Sequence, residues 1–138
     1  MSSANLPVLT IDGSQFDDLE GFAREFSKLL CHYTWRGNLD AFNDILRGGF
    51  GTPVGGFVLR WLNSARSRHV LGWEATAAWY EQQVLPHCHP SNRQRVLDEL
   101  ALAKRGEGET LFDRFIEIIQ AHGPGGEESD DRVVLELW

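Results

Sequence analysis

Asp40 and Asp44 stand four residues apart in the stretch LDAFNDIL, a spacing that puts both carboxylates on one face if the stretch is helical. Like charges so placed repel by about 0.2–0.5 kcal/mol, a cost that a purely structural surface would avoid. Asp40 has a local reason to be there, since it falls in the first turn, where the helix dipole favours a carboxylate. Asp44 is too far along to gain from that end, which leaves either simple solvation or attraction to a cation outside the chain. Two carboxylates on a rigid helix can pair with the Arg, Lys or His donors of a cationic partner.

The other constellations carry less chemistry. His87, Cys88 and His89 are soft ligand types, but adjacent ligands between two prolines cannot close a tetrahedral site alone, and no second cluster has zinc spacing. They are expected to form a turn between helices, and no cofactor or metal is implied. Arg60, Arg66, Arg68 and His69 make a basic patch that lacks the interleaved aromatics of a nucleic-acid surface; solvation, or pairing with the acidic C-terminal stretch, accounts for it. There is no GxSxG, no P-loop and no nucleophile beside a base, so catalysis has no support in the sequence and the chain is not expected to be an enzyme. The run EESDD at 127–131 reads as a solvated turn.

Charge distribution narrows the partner. The 138 residues carry a net charge of −7, which repels nucleic-acid phosphate. Residues 1–52 hold seven acids and four bases, 53–105 four and seven, and 106–138 nine and two, so a basic middle lies between acidic flanks. Such flanks either solvate different faces or meet a cationic partner. With 42% hydrophobic and 24% charged residues the chain is globular. It lacks the apolar run of a membrane span and the basic start of a signal peptide, so a cytoplasmic protein is expected, with no membrane partner and with Cys31 and Cys88 reduced.

The elements that must position the acids can be read from periodicity. PVLTID at 7–12 is a short strand. Ser14, with Asp17 three residues on, offers a capping-box-like start to a helix whose apolar face is Phe16, Leu19, Phe22, Phe26, Leu29 and Leu30. CHYTWRG at 31–37 has no period and forms a loop. Asn38 caps the helix that carries the two acids, with Leu39, Phe42, Ile45 and Leu46 inward and Gly48–Gly49 as its stop. FVLRWL at 57–62 is apolar enough for a strand covered on both faces. Asn63 or Ser64 caps a short helix to Leu71, and a further helix from Trp73 through Ala77, Tyr80 and Val84 closes at Pro86. The next opens at Ser91 or Asn92 with Val96, Leu97, Leu100 and Ala101 inward. Thr110 caps the last helix, with Phe112, Phe115, Ile116 and Ile119 inward, and RVVLELW at 132–138 is the final strand. Strands first, middle and last with helices between them predict an α/β fold with a small three-stranded parallel sheet, one domain over residues 1–138.

IDGSQFDDLEGFAREFSKLL followed by YTWRGNLDAFNDILRG resembles the barstar family, intracellular inhibitors of the ribonuclease barnase and similar enzymes. The string GNLDAFNDIL after an aromatic loop, a strand and an amphipathic helix carries the resemblance, which is strongest over 8–48. Residues 73–107 look like a helical expansion before the last helix. The resemblance implies a three-stranded parallel sheet with packed helices, and a second helix that plugs the enzyme's active site together with the loop before it. Asp40 and Asp44 fall on the family's two helix acids, Asp44 on the central one that enters the phosphate pocket; this family is itself a reference case for the size of such a hot spot. Asn38 matches the asparagine at the helix start, and Tyr33 and Trp35 cover the family's loop aromatics. Asn43 stands where a tryptophan can occur, and Arg36-Gly37 replaces a Gly-Glu pair. A further acid of the family's last helix falls on Ala121 in one register and on Glu117 in another. The implied function is stoichiometric inhibition of a basic ribonuclease or ribonuclease-like toxin. The alternative is an immunity or regulatory protein of the same fold with a non-ribonuclease partner.

Overall fold

The computed structural model describes residues 6–138. Three strands, β1 (Val8–Asp12), β2 (Phe57–Leu62) and β3 (Val133–Leu137), form one sheet in the order β1-β2-β3, every pair parallel. Six α-helices join them: α1 (Leu19–Ser27), α2 (Leu39–Arg47), α3 (Ser64–Val70), α4 (Trp73–Trp79), α5 (Arg93–Lys104) and α6 (Leu111–Ala121). Parallel strands need crossovers, and the helices supply them.

The register explains which sheet face is buried. Leu9, Leu59 and Leu135 are aligned, as are Ile11, Trp61 and Leu137; these side chains, with Phe57 and Val133, share the face towards the helices, though Leu137 at the strand's end stays exposed. There Trp61 stacks on Phe22 at 5.0 Å and 9°, and Phe26, Trp35, Phe42 and Phe115 pack their rings around Phe22. The opposite face was expected to be covered too, and it is not. It presents Val8, Thr10, Arg60, Glu136 and Trp138 to solvent, with Arg60 Nε bonded to Glu136 at 2.9 Å and its guanidinium 5.0 Å over Trp138. The apolar run of β2 is satisfied differently, since Val58 is shielded by its position in the central strand, between Val8 and Val134.

Several boundaries differ from the sequence reading for local reasons. Ser14 does not start α1. Its N–H is taken by the Asp12 carboxylate at 2.9 Å in a 3-10 turn, Phe16 is extended and buried, and Asp18 is the real N-cap, accepting from Gly21 N at 2.8 Å. Asp17 instead pairs with Arg66, whose guanidinium also donates to the carbonyls of Gly13 and Phe16. Asn63 precedes α3 in a left-handed conformation without capping it, its amide donating to Asp12 at 2.8 Å. In α5 the buried stripe is Val96, Leu100 and Ala103, while Ala101 is exposed. Thr110 does cap α6, in a reciprocal box with Asp113, both bonds 3.1 Å. Helix α4 widens into a π-turn at Tyr80–Val84, and Tyr80, Val96 and Leu100 form a satellite cluster beside the main core.

Candidate functional site

Helix α2 is anchored from below and free above. Phe42, Ile45 and Leu46 are buried in the main core, so the helix cannot roll without opening it. Asn38 caps it, its side chain accepting from Ala41 N at 2.8 Å. Asp40 and Asp44 both lie on the exposed side. The loop before α2 is pinned just as firmly. Trp35 N–H donates to Ser27 Oγ at 2.9 Å, its indole N–H donates to the Asn38 carbonyl at 2.8 Å, and the ring stands edge-on to Phe22, Phe26 and Phe115. Gly37 takes φ +97°, the sign glycine tolerates best, to turn the chain from Trp35 into the cap. After α2, Gly51 at φ +110° passes so close to Cys31 that a Cβ would lie 2.3 Å from its nitrogen, and Cys31 N–H donates to the Phe50 carbonyl at 2.9 Å. Both ends of the loop-helix unit are therefore fastened.

This geometry sorts the six residues expected to meet a partner. Tyr33 is 37% exposed, its ring 4.7 Å from Phe50, and Asn38, Asp40 and Asp44 are exposed. Trp35 is not an outward anchor. At 1% exposure its ring has no free face, because the ring is the wedge that holds the loop on the core. Asn43 is turned inward as well, its Oδ1 lying 2.6 Å from Nε2 of His122. Glu117 faces away from α2 into a cleft with Tyr80, Glu99 and Arg114; burial and a hydrogen bond from Glu109 push its carboxyl above the usual range. Ala121, the other register, is half-buried.

Two residues that the sequence reading did not single out govern the electrostatics of α2. Arg47 Nη1 holds Asp44 at 2.7 Å while its Nε holds Glu128 at 2.6 Å. Glu128 is consequently held below the usual carboxylate range, chiefly by that hydrogen bond. His122, at 0% exposure, places Nδ1 2.6 Å from Asp131 and Nε2 2.6 Å from Asn43, with Glu128 3.4 Å from Nε2. The run 127–131 is therefore more than a solvated turn, since Glu128 and Asp131 tie it to α2 and to the end of α6. His122, Glu128 and Asp131 are compact enough to be weighed as cation ligands. Yet the two carboxylates address opposite nitrogens of the ring and Arg47 already holds Glu128, which makes a clamp and not a convergent donor set. Asn43 and His122 lie 79 residues apart, and no local pattern connects them.

His89 caps the short turn before α5, its Nδ1 accepting from Ser91 N at 3.1 Å. The basic patch is dispersed: Arg60 goes to Glu136, Arg66 to Asp17, and Arg68 lies 3.7 Å from Asp113 and 4.6 Å over Phe112. Among the described residues no helix is long and apolar enough to cross a membrane.

A parallel three-stranded sheet backed by helices, with an acidic helix fastened at both ends and exposed along one side, defines an α/β scaffold that offers a surface for binding. The family model described as Barstar (barnase inhibitor) matches residues 6–105, and the chain belongs to that family. The match covers all but the last two residues of the stretch read as an expansion and stops before α6 and β3. No curated protein and no solved structure matches the chain.

Proposed function

We propose that this protein is a stoichiometric inhibitor of a ribonuclease or ribonuclease-like toxin, a single domain that blocks the enzyme's cationic active site with α2 and the loop before it. The observation that carries the reading is the placement of Asp40 and Asp44 on the exposed side of a helix whose opposite side is sunk in the core. Family membership supports a protein partner of this kind. Tyr33 and Asn38 flank the acids, while Trp35 and Asn43 set the position of the helix from beneath.

Asp44 reaches the enzyme by exchanging partners. Its bond to Arg47 joins two side chains that are 60% and 47% exposed, and such pairs contribute only about 0–1 kcal/mol. A desolvated cluster of enzyme cations competes easily, and Glu128 retains Arg47. The enzyme's donors then hold a carboxylate where they would hold phosphate. Residues 73–107 elaborate the fold away from this surface.

The test is titration of barnase, and then of other basic ribonucleases, with wild type and variants at two salt concentrations, circular dichroism reporting folding. Asp44→Ala should weaken inhibition by at least about 2 kcal/mol, since it strands enzyme cations as well as removing attraction. Asp40→Ala should cost less. Tight inhibition by a folded Asp40/Asp44 double variant would refute the reading and leave only the fold in common.

A further inference from the structure

A cleft of about 550 Å³ opens between α1 and the loop that leads into α2, lined by Glu20, Arg24, Lys28, Tyr33, Thr34 and Arg36 among others. Its sign is opposite to that of the neighbouring helix, with three cations against one acid on the lining. Lys28 is partly neutralised, lying 2.8 Å from Glu25. Arg24 and Arg36 are not: among the described residues neither has a carboxylate in salt-bridge range, a condition shared with Arg93 and Arg95 on α5, and Arg24 and Arg36 stand together on the lining of this cleft. Arg24 in the last turn of α1 gains something from the helix dipole. Arg36 sits in a loop and has no such local reason.

In a chain of net charge −7, two guanidiniums therefore stand on one cleft without an acid of the chain to pair with. We propose that this cleft takes an Asp or Glu side chain of the partner protein, at a position beside the partner's cationic active site. The proposal rests on the inhibitor reading and adds a second, oppositely charged half to the binding face. Chain length supports the adjacency, for Arg36 and Asp40 are four residues apart and cannot be separated by more than roughly 14 Å even if fully extended. That closeness also decides the class of anion. An RNA backbone reaching Arg36 would run against Asp40 and Asp44 and the net charge, whereas a folded partner can present one carboxylate here and cations there. The planar donor forks of Arg24 and Arg36 suit a carboxylate, and the exposed Tyr33 ring gives the cleft an apolar rim. A partner with a cation at this position would be repelled, so the cleft selects among basic ribonucleases.

The first arm of the test contains no enzyme. The arginine Nε–Hε signals are followed by ¹⁵N–¹H NMR at low salt while tri-glutamate peptide, or separately inorganic phosphate, is added to the full chain. The peptide should move the Arg24 and Arg36 signals together at millimolar concentration, more tightly than phosphate does, and at least fivefold more weakly in the Arg24→Gln/Arg36→Gln variant as followed on Tyr33. Unmoved arginine signals would overturn the site, and tighter binding of phosphate would overturn the assignment to a protein carboxylate. The second arm uses a ribonuclease that wild type inhibits, and there Arg36→Glu should weaken inhibition about tenfold. Unchanged inhibition would remove the cleft from the binding face. Failure of the inhibitor reading itself is recognised separately, by an Asp44→Ala variant that inhibits as well as wild type.

Discussion

Replacing His122 by alanine removes a side chain that joins α2, the end of α6 and the acidic turn. The imidazole is fully buried and lies 2.6 Å from both Asn43 and Asp131. A neutral hydrogen bond contributes about 0.5–1.5 kcal/mol and one to a charged group about 1.5–3 kcal/mol, which sums to roughly 2–4.5 kcal/mol. Rehydration trims the upper end, because the side chains of Asp131 and Glu128 are 23% and 33% exposed and water can reach them once the ring is gone. The expected loss is about 2–4 kcal/mol. At about 0.05–0.15 kcal/mol per residue a chain of 138 residues has roughly 7–20 kcal/mol in hand, so the variant should stay folded and the loss can be measured. Urea unfolding should show a lower midpoint at unchanged slope. Asn43→Ala, measured alone and together with His122→Ala, should couple to it by about 0.5–3 kcal/mol. A His122→Ala loss below about 0.5 kcal/mol, or full additivity with Asn43→Ala, would refute the clamp.

Arg47→Ala should free Asp44 and leave α2 more negative, so association with a cationic ribonuclease should be about two- to fivefold faster at low salt, an advantage that fades at high salt; a slower association measured by stopped flow would show that Arg47 itself contacts the partner. Burial, with help from Glu99 and against Arg114, pushes the Tyr80 phenol up to about 12. Its proton is held more firmly in the folded state than in the unfolded one, where the phenol titrates near 10. Its contribution to stability is therefore complete below pH 10 and lost as the pH rises towards 12. In a Tyr33→Phe background the phenolate absorbance near 295 nm should rise with a midpoint close to pH 12, and a midpoint at 10 would mean that the Tyr80 environment is open. Arg93 and Arg95 are exposed on α5, outside the proposed binding face. Their replacement by glutamine should change ribonuclease affinity by less than about tenfold, or roughly 1.4 kcal/mol, and a larger loss would place the expansion in the interface.

The sequence by itself determined the strand count, the parallel α/β class and the apolar face of α2, because each rests on a local period or cap. The alternation of Leu9 and Ile11, the Asn38 cap and the Phe42-Ile45-Leu46 stripe can be read within a dozen residues. GNLDAFNDIL also pointed to the family that the residue 6–105 match established. Tertiary structure decided what no period encodes. A tryptophan beside an arginine in a loop reads equally well as an anchor for a partner or as a wedge for the core, and only the ring packing of Trp35 with Phe22, Phe26 and Phe115 makes it the wedge. An apolar strand does not say how many of its faces are covered, and β2 is backed on one side alone. The fold brings Glu128 to Arg47 from 81 residues away, and His122 meets Asn43 across a similar gap. Local pattern records which way a side chain faces. Its partner is set by where the crossovers return the chain, and that depends on how the whole core packs.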